Sequence, residues 1–284
     1  MSAVFMNEQN NNEILDRVCN LDKGLKSGFF DFDYVTTGFQ KGNLYVIGGR
    51  PAMGKTMFAM NVVKDVALKQ NKPVLYISLD QSTEMVVTKL LQVVSAQDVR
   101  KLHLRDINED EMTILRNAVK EVGNSSLIVD DSPGMPVEMI REALEGEYQN
   151  LGIELIVIDY LQLMRTRQHY QSRQEEIAKI SRELKSIAQE FNLSIIAISQ
   201  LSRFPEMRPD HRPMLSDLRE SGVIEEVADC VFFIYRDEYY DSNSEYKGIA
   251  EIMIGKNNFG PRGTIELHFV PEKGRFENIN RFHD

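Results

Sequence analysis

Cysteine is scarce in this chain of 284 residues: two, Cys19 and Cys230, which have no metal-ligand spacing and make no disulfide framework. A reducing cytoplasmic setting is the expectation. No apolar run approaches the roughly 20 residues a membrane helix needs, and the N-terminus lacks the apolar h-region of a secretion signal. Repeats are absent, and the one biased stretch is the Asn/Gln-rich first ten residues, which read as disordered. An overall positive charge is missing too. The net charge of -10 argues against a polyanion binder of the ordinary basic kind. What is there is an ordinary globular composition, 42% apolar and 27% charged, long enough to bury a substantial core. The charge is uneven: Arg165 to Arg219 holds ten Lys or Arg against seven Asp or Glu. A basic region on an acidic body suits a focused anion-binding surface, although many helices carry such charge for solubility alone.

Apolar periodicity predicts alternating strands and helices. Asn12 to Lys26 reads as a short amphipathic arm, with Ile14, Leu15, Val18, Leu21 and Leu25 at helical spacing. Strands are expected at "NLYVIG" (43–48), Val74–Leu79, Leu127–Val129, Leu155–Ile158 and Ile195–Ile198. Helices are expected at Lys55–Lys69, Glu84–Val94, Glu109–Val122, Val137–Tyr148 and Glu175–Phe191. That alternation implies βαβ units on a mostly parallel central sheet flanked by helices. Cys230–Ile234, Ala250–Ile254 and Thr264–Phe269, joined by turns, predict an antiparallel C-terminal extension.

The chemistry begins at "GGRPAMGKT", residues 48–56. It contains Gly49-x4-Gly54-Lys55-Thr56 between a strand and a helix, the context a P-loop requires. Backbone amides of Gly49, Arg50, Pro51, Ala52, Met53 and Gly54 (Pro51 excepted as a donor) can turn toward phosphate at a helix N-terminus. Lys55 reaches the β- and γ-phosphates, and the Thr56 hydroxyl suits Mg²⁺. In "LIVIDY" an apolar strand ends in Asp159, which can hold a water on Mg²⁺; many strands end in Asp for turn reasons, so its weight comes from the P-loop. "SIIAISQ" ends at Gln200, a neutral amide able to sense the γ-phosphate or the attacking water, or simply a polar strand end. "YISLDQSTE" (76–84) ends another strand in Asp80, with Ser82 as a helix cap and Glu84 in the first turn. From the residues alone Asp80 is a general base, a metal ligand or a polar strand end.

The chain resembles the RecA-like ATPase domain of DnaB-type replicative DNA helicases. "TTGFQKGNLYVIGGRPAMGKT", "IVIDYLQLM", "SRQEEIAKISRELKSIAQEFNLSIIAISQLSR", "RPMLSDLRESGVIEEVADCVFFIYRDEYY" and "GKNNFGPRGTIELHF" match its motifs in order, from about Gly28 to Asn278. Set against the resemblance, the helicases' N-terminal helical domain is expected to be missing from these 284 residues, with a linker-like arm before Gly28. Residues 1–27 are read as a disordered start plus a short linker arm, and 28–284 as the ATPase domain. The resemblance implies a homohexameric ring, with ATP between subunits, single-stranded DNA in the channel, and loader and primase as further partners. It implies that the arm docks on a neighbouring subunit. It places Arg219, Glu220, Ser221 and Gly222 on a DNA-contacting loop, with Arg203, Arg208 and Arg212 in the same basic region. Lys256 matches a lysine reaching the neighbour's γ-phosphate, and Arg236 an arginine near the nucleotide. "RESG" could equally be a polar turn.

Two positions depart from that pattern. Asp80 stands where the family has the glutamate that orients the attacking water, one methylene shorter. Reference pKa values of Asp and Glu differ little, so reach matters more than basicity. Asn258 stands where the family has its arginine finger, whose loss can cost about 10³ to 10⁵ in rate; Arg262, four residues on, is a candidate substitute. These changes point to weakened hydrolysis. The expected function is an ATP-dependent, DNA-binding helicase ATPase, and the rival is a non-motor ATP-binding regulator or decoy subunit of such a helicase.

Overall fold

The computed structural model of the chain describes residues 24–101, 106–218 and 222–279. The expected disordered start, most of the expected arm, and Arg219, Glu220 and Ser221 lie outside the described residues.

In chain order the elements are α1 (Phe30–Thr36), β1 (Leu44–Gly49), α2 (Lys55–Val63, continued by the wider π turns of Lys64–Lys69) and β2 (Val74–Ser78). Then come α3 (Thr83–Ser95), α4 (Glu109–Gly123), β3 (Leu127–Asp130), α5 (Val137–Glu145) and β4 (Leu155–Asp159). The remainder is α6 (Arg173–Glu190), β5 (Ser194–Gln200), α7 (Gly222–Val227), β6 (Cys230–Tyr235), β7 (Ile249–Asn257), β8 (Gly263–Val270) and β9 (Arg275–Asn278).

Among the described residues these strands form one sheet in the order β3-β2-β4-β5-β1-β6-β7-β8-β9. It is parallel from β3 to β6 and antiparallel beyond. The parallel strands are buried on both faces, which is why β1, β2 and β4 read as near-continuous apolar runs rather than as alternation. Successive β1 residues feed opposite layers. Tyr45 and Ile47 face a core with Phe58, Tyr76 and Phe232, whereas Leu44 and Val46 face Ile156, Ile177 and Leu184 of the other. The first layer is anchored by aromatic edges: Phe32 and Phe58 pack on the Phe232 ring at 4.9 and 5.5 Å between centroids.

Element ends match or miss expectation for local reasons. α4 starts where predicted because Asn108 and Glu111 form a reciprocal capping box. α5 stops at Glu145, three residues early, because Gly146 leaves helical geometry. Ser82 caps α3 by position but not by side chain; the Asp131 carboxylate accepts from the Thr83 amide instead, at 2.7 Å.

Candidate active site

Four chain segments meet at the carboxyl edge of the parallel strands. β1 ends in the loop to α2. Its spatial neighbour β5 lies between it and β4, and β4 lies between β5 and β2. Because β1 and β2 are consecutive in sequence but separated in the sheet, the loops diverge and open a crevice, where open α/β sheets bind ligands.

The loop is shaped by sterics. Gly54 has φ +99 and caps α2; a Cβ there would also come within 3.0 Å of the Phe276 ring. Ala52 adopts φ 63, a turn the glycine pattern did not predict. Gly49 is required by proximity, since a Cβ would sit 3.2 Å from the Ile234 carbonyl and from the Lys55 stem. Lys55 Nζ donates to the Arg50 carbonyl at 2.9 Å, across the loop. Burial lowers its pKa to about 8, with Asp159 opposing and Arg50 adding to the shift. Arg50 itself turns toward the segment that follows β5. Its guanidinium pairs with Glu206 Oε1 (2.9 and 2.7 Å) and donates to the Leu201 and Ser202 carbonyls. Pro51 is exposed and Met53 is buried.

Thr56 Oγ1 donates to Asp159 Oδ2 at 2.8 Å, joining the start of α2 to the end of β4. Tyr76, fully buried in β2, donates to the same oxygen at 2.9 Å. Burial raises the Asp159 pKa, and these two hydrogen bonds, with Lys89 and Lys55 nearby, pull it back. A hydroxyl and a carboxylate paired at the mouth of a P-loop are a donor set of hard oxygens. That chemistry fits Mg²⁺, and the turned loop at the helix N-terminus fits a triphosphate.

Asp80 follows directly. Ser78 pairs with Asp159 across β2 and β4, and the Leu79 amide donates to the Asp159 carbonyl at 2.8 Å. The exposed Asp80 thus follows directly on the backbone that pairs with Asp159, just past the end of β2. Gln200 pairs with Gly49 at the end of β5, and its amide donates to Gln162 Oε1 at 3.1 Å. Arg236, after β6, stacks over Phe269 at 4.5 Å, pairs with Glu238 and donates to the Ala52 carbonyl at 3.3 Å. The structure therefore brings the loop, Lys55, Thr56, Asp80, Asp159, Gln200 and Arg236 together.

It does not bring Lys256 there. Lys256 faces Val231 near the amino end of β6, and its Nζ caps α7 by donating to the Glu225 and Glu226 carbonyls (2.8 and 3.0 Å). Asn258 bonds to Asp229, and Arg262 is exposed. Gly222 is at the start of α7. Two of the basic-region arginines are engaged internally: Arg208 makes a two-pronged pair with Asp217 (both 2.6 Å), and Arg212 another with Glu251. Arg203 is exposed. Sequence reasoning missed Tyr76, Lys89, Gln162 and Glu206. Tyr76 left a signal, since a phenol inside a fully buried strand must find a partner.

Fold and loop together define the class: a P-loop nucleotide-binding domain on a RecA-like sheet. The comparisons are narrower. The family model described as "DnaB-like helicase C terminal domain" matches residues 24–278, and the chain belongs to that family. It is 42% identical over 262 residues to the replicative DNA helicase DnaC of Bacillus subtilis (strain 168), and 43% over 259 to the replicative DNA helicase DnaB of Pasteurella multocida (strain Pm70). These alignments cover 92% and 90% of this chain but only 58% and 56% of those helicases, so the chain spans less than two thirds of the curated relatives it matches. Among solved structures it is similar to one of an ATPase domain, with a TM-score of 0.90 at 35% identity over 98% of this chain and all of that one. It is also similar to a DnaB-like replicative helicase studied with primase: TM-score 0.89, 35% identity, 98% of this chain and 68% of that one.

Proposed function

We propose that this chain is the ATP-hydrolysing motor part of a replicative DNA helicase, working as a ring of identical subunits around single-stranded DNA. The observation that carries the reading is the Thr56–Asp159 hydrogen bond at 2.8 Å, which joins P-loop and β4 carboxylate in one site. Membership of the helicase family supports the substrate class.

In this reading the backbone of Gly49 to Gly54 and the Lys55 ammonium hold the phosphates, and Thr56 and Asp159 hold Mg²⁺. The ion, when bound, neutralises charge on the phosphate oxygens. Asp80, exposed and just past the end of β2, accepts a proton from the attacking water at a carboxylate oxygen. Gln200 orients that water, and Arg236 flanks the nucleotide. Lys256, aimed away from its own loop, acts on the nucleotide of a neighbouring copy. Arg219, Glu220, Ser221 and Gly222 contact DNA phosphate, so affinity falls with salt. With Arg208 and Arg212 internally paired, those two add little to DNA binding.

The rival is a non-motor regulator that keeps ATP as a structural ligand. The departures at Asp80 and Asn258 favour it, because each shortens or removes a group that phosphoryl transfer uses. Steady-state ATP hydrolysis with and without single-stranded DNA, against Lys55→Ala as background, separates the two. DNA-stimulated turnover above background supports the motor. Tight ATP binding with turnover at background supports the regulator.

A further inference from the structure

A cation stands beside the site that the functional reading leaves without a task. Lys89 lies in the second turn of α3, beside Leu90 on the face that also buries Val86 and Val93. Its half-buried side chain returns toward the start of the helix. There its Nζ donates to Gln81 Oε1 at 2.5 Å. Gln81 is fixed at its other end, where its carbonyl accepts from Ser78 Oγ at 2.6 Å. The Ser78–Gln81 contact closes the turn around Asp80, and the Lys89 contact holds Gln81 from the helix side; the Asp80 carboxylate makes no hydrogen bond or ion pair among the described residues. Among the described residues it is the turn, and no hydrogen bond to its own carboxylate, that sets the position of Asp80. Burial lowers the Lys89 pKa, and the charges of Asp159 and then Asp80 oppose that shift. A lysine serving only solubility would extend its ammonium into water rather than bring it beneath this edge.

We propose that Lys89 is a positioning residue for hydrolysis: held at Gln81, it fixes the turn that carries Asp80 and keeps that carboxylate beside the Thr56–Asp159 pair. The inference rests on the ATPase reading above. Lys89 touches neither nucleotide nor water in this role, so it governs the chemical step and not binding. An aspartate has little reach to spare, and a misplacement of about 1 Å costs about 10²-fold in rate.

The test uses the full chain with Lys89→Met, Lys89→Arg, Gln81→Leu and the Lys89→Met/Gln81→Leu double variant. Steady-state hydrolysis gives kcat, a fluorescent ATP analogue gives Kd, and thermal melting confirms folding. Lys89→Met is expected to lower kcat about 10²-fold with Kd within about twofold. Lys89→Arg recovers most of the loss. Gln81→Leu reproduces it, and the double variant loses no more than either single, because the two residues act as one unit. Equal weakening of Kd and kcat, independent losses in the double variant, or an unchanged kcat in Lys89→Met each overturn the proposal. Parent protein that binds ATP without turnover refutes the ATPase reading itself, and the inference falls with it.

Discussion

ATP affinity should depend on pH above neutrality, and the dependence follows from one lysine. Lys55 is held at about 8 by burial, where an ordinary lysine titrates at 10.5. The triphosphate binds the ammonium form, so binding raises this pKa and takes up a proton once the protein alone has begun to lose it. Below pH 8 Lys55 is charged with or without nucleotide, and Kd is flat. Above pH 8 the competent fraction falls tenfold per unit, which weakens Kd about 30-fold by pH 9.5, against about 10% for a lysine at the ordinary value. The phosphate's own titration, near pH 6, lies below this window. The assay is Kd for a fluorescent ATP analogue at constant ionic strength from pH 7 to 9.5, with Lys55→Arg as a control that never deprotonates. A flat wild-type Kd to pH 9.5 refutes the reasoning, as does an equal slope in Lys55→Arg. Protein stability moves the other way. Between pH 8 and 10.5 the unfolded chain holds the Lys55 proton that the folded one has shed, so this group adds stability as pH rises through that window.

Other consequences are direct. Gly54→Ala forces a methyl into a left-handed backbone against Phe276, and should weaken nucleotide binding and lower the melting temperature; an unchanged Kd would show that the loop tolerates another turn. Phe232→Ala, which removes the ring on which Phe32 and Phe58 pack, should cost about 3–5 kcal/mol in denaturant unfolding. Arg208→Ala leaves Asp217, whose side chain is 1% exposed, with the Met214 amide but no cation; a loss of about 1–3 kcal/mol is expected, and Arg208→Ala/Asp217→Asn should recover part of it. Thr56→Ala and Asp159→Asn should each remove the Mg²⁺ dependence of ATP binding while leaving ADP binding without metal measurable.

Contiguous signals were legible in the sequence. The P-loop is one run of nine residues, and the parallel strands announce themselves because burial on both faces leaves no room for alternation. α1 and β9 were not legible, since their order depends on chain ends far apart: the Phe30 amide donates to Asn278 Oδ1, and Asn278 Nδ2 to the Gly28 carbonyl. The same limit applies at the site. Lys55, Thr56 and Asp159 are readable because strand ends and motif spacing place them. Glu206 holds Arg50 from 156 residues away, and Tyr76 reaches Asp159 across 83. The internal pairing of Arg208 and Arg212 was illegible for a related reason. A basic count along the chain says nothing of which carboxylates the fold will set against it.

The two carboxylates of the site are kept in opposite conditions, and that separates their work. Asp159 is nearly dry, and both of its hydroxyl donors converge on Oδ2. Burial favours its neutral form while those donors and the nearby ammonium groups favour its charge, an environment that a divalent cation would tip toward charge. Asp80 is wet, accepts no hydrogen bond among the described residues, and precedes Gln81, to which a lysine of α3 is tethered. A proton acceptor needs an oxygen with no donor already on it and a path for the proton to leave; an ion ligand needs orientation and a low dielectric. The exposed carboxylate meets the first need and the buried one the second. Exchanging the residue types shows which is limiting. On the ATPase reading proposed above, Asp80→Glu adds reach without changing the environment, so it should raise kcat if distance is limiting, whereas Asp159→Glu crowds a filled pocket and should abolish Mg²⁺-dependent binding. An Asp80→Glu variant no faster than the parent would mean that the short side chain is already in place, drawn there by its turn.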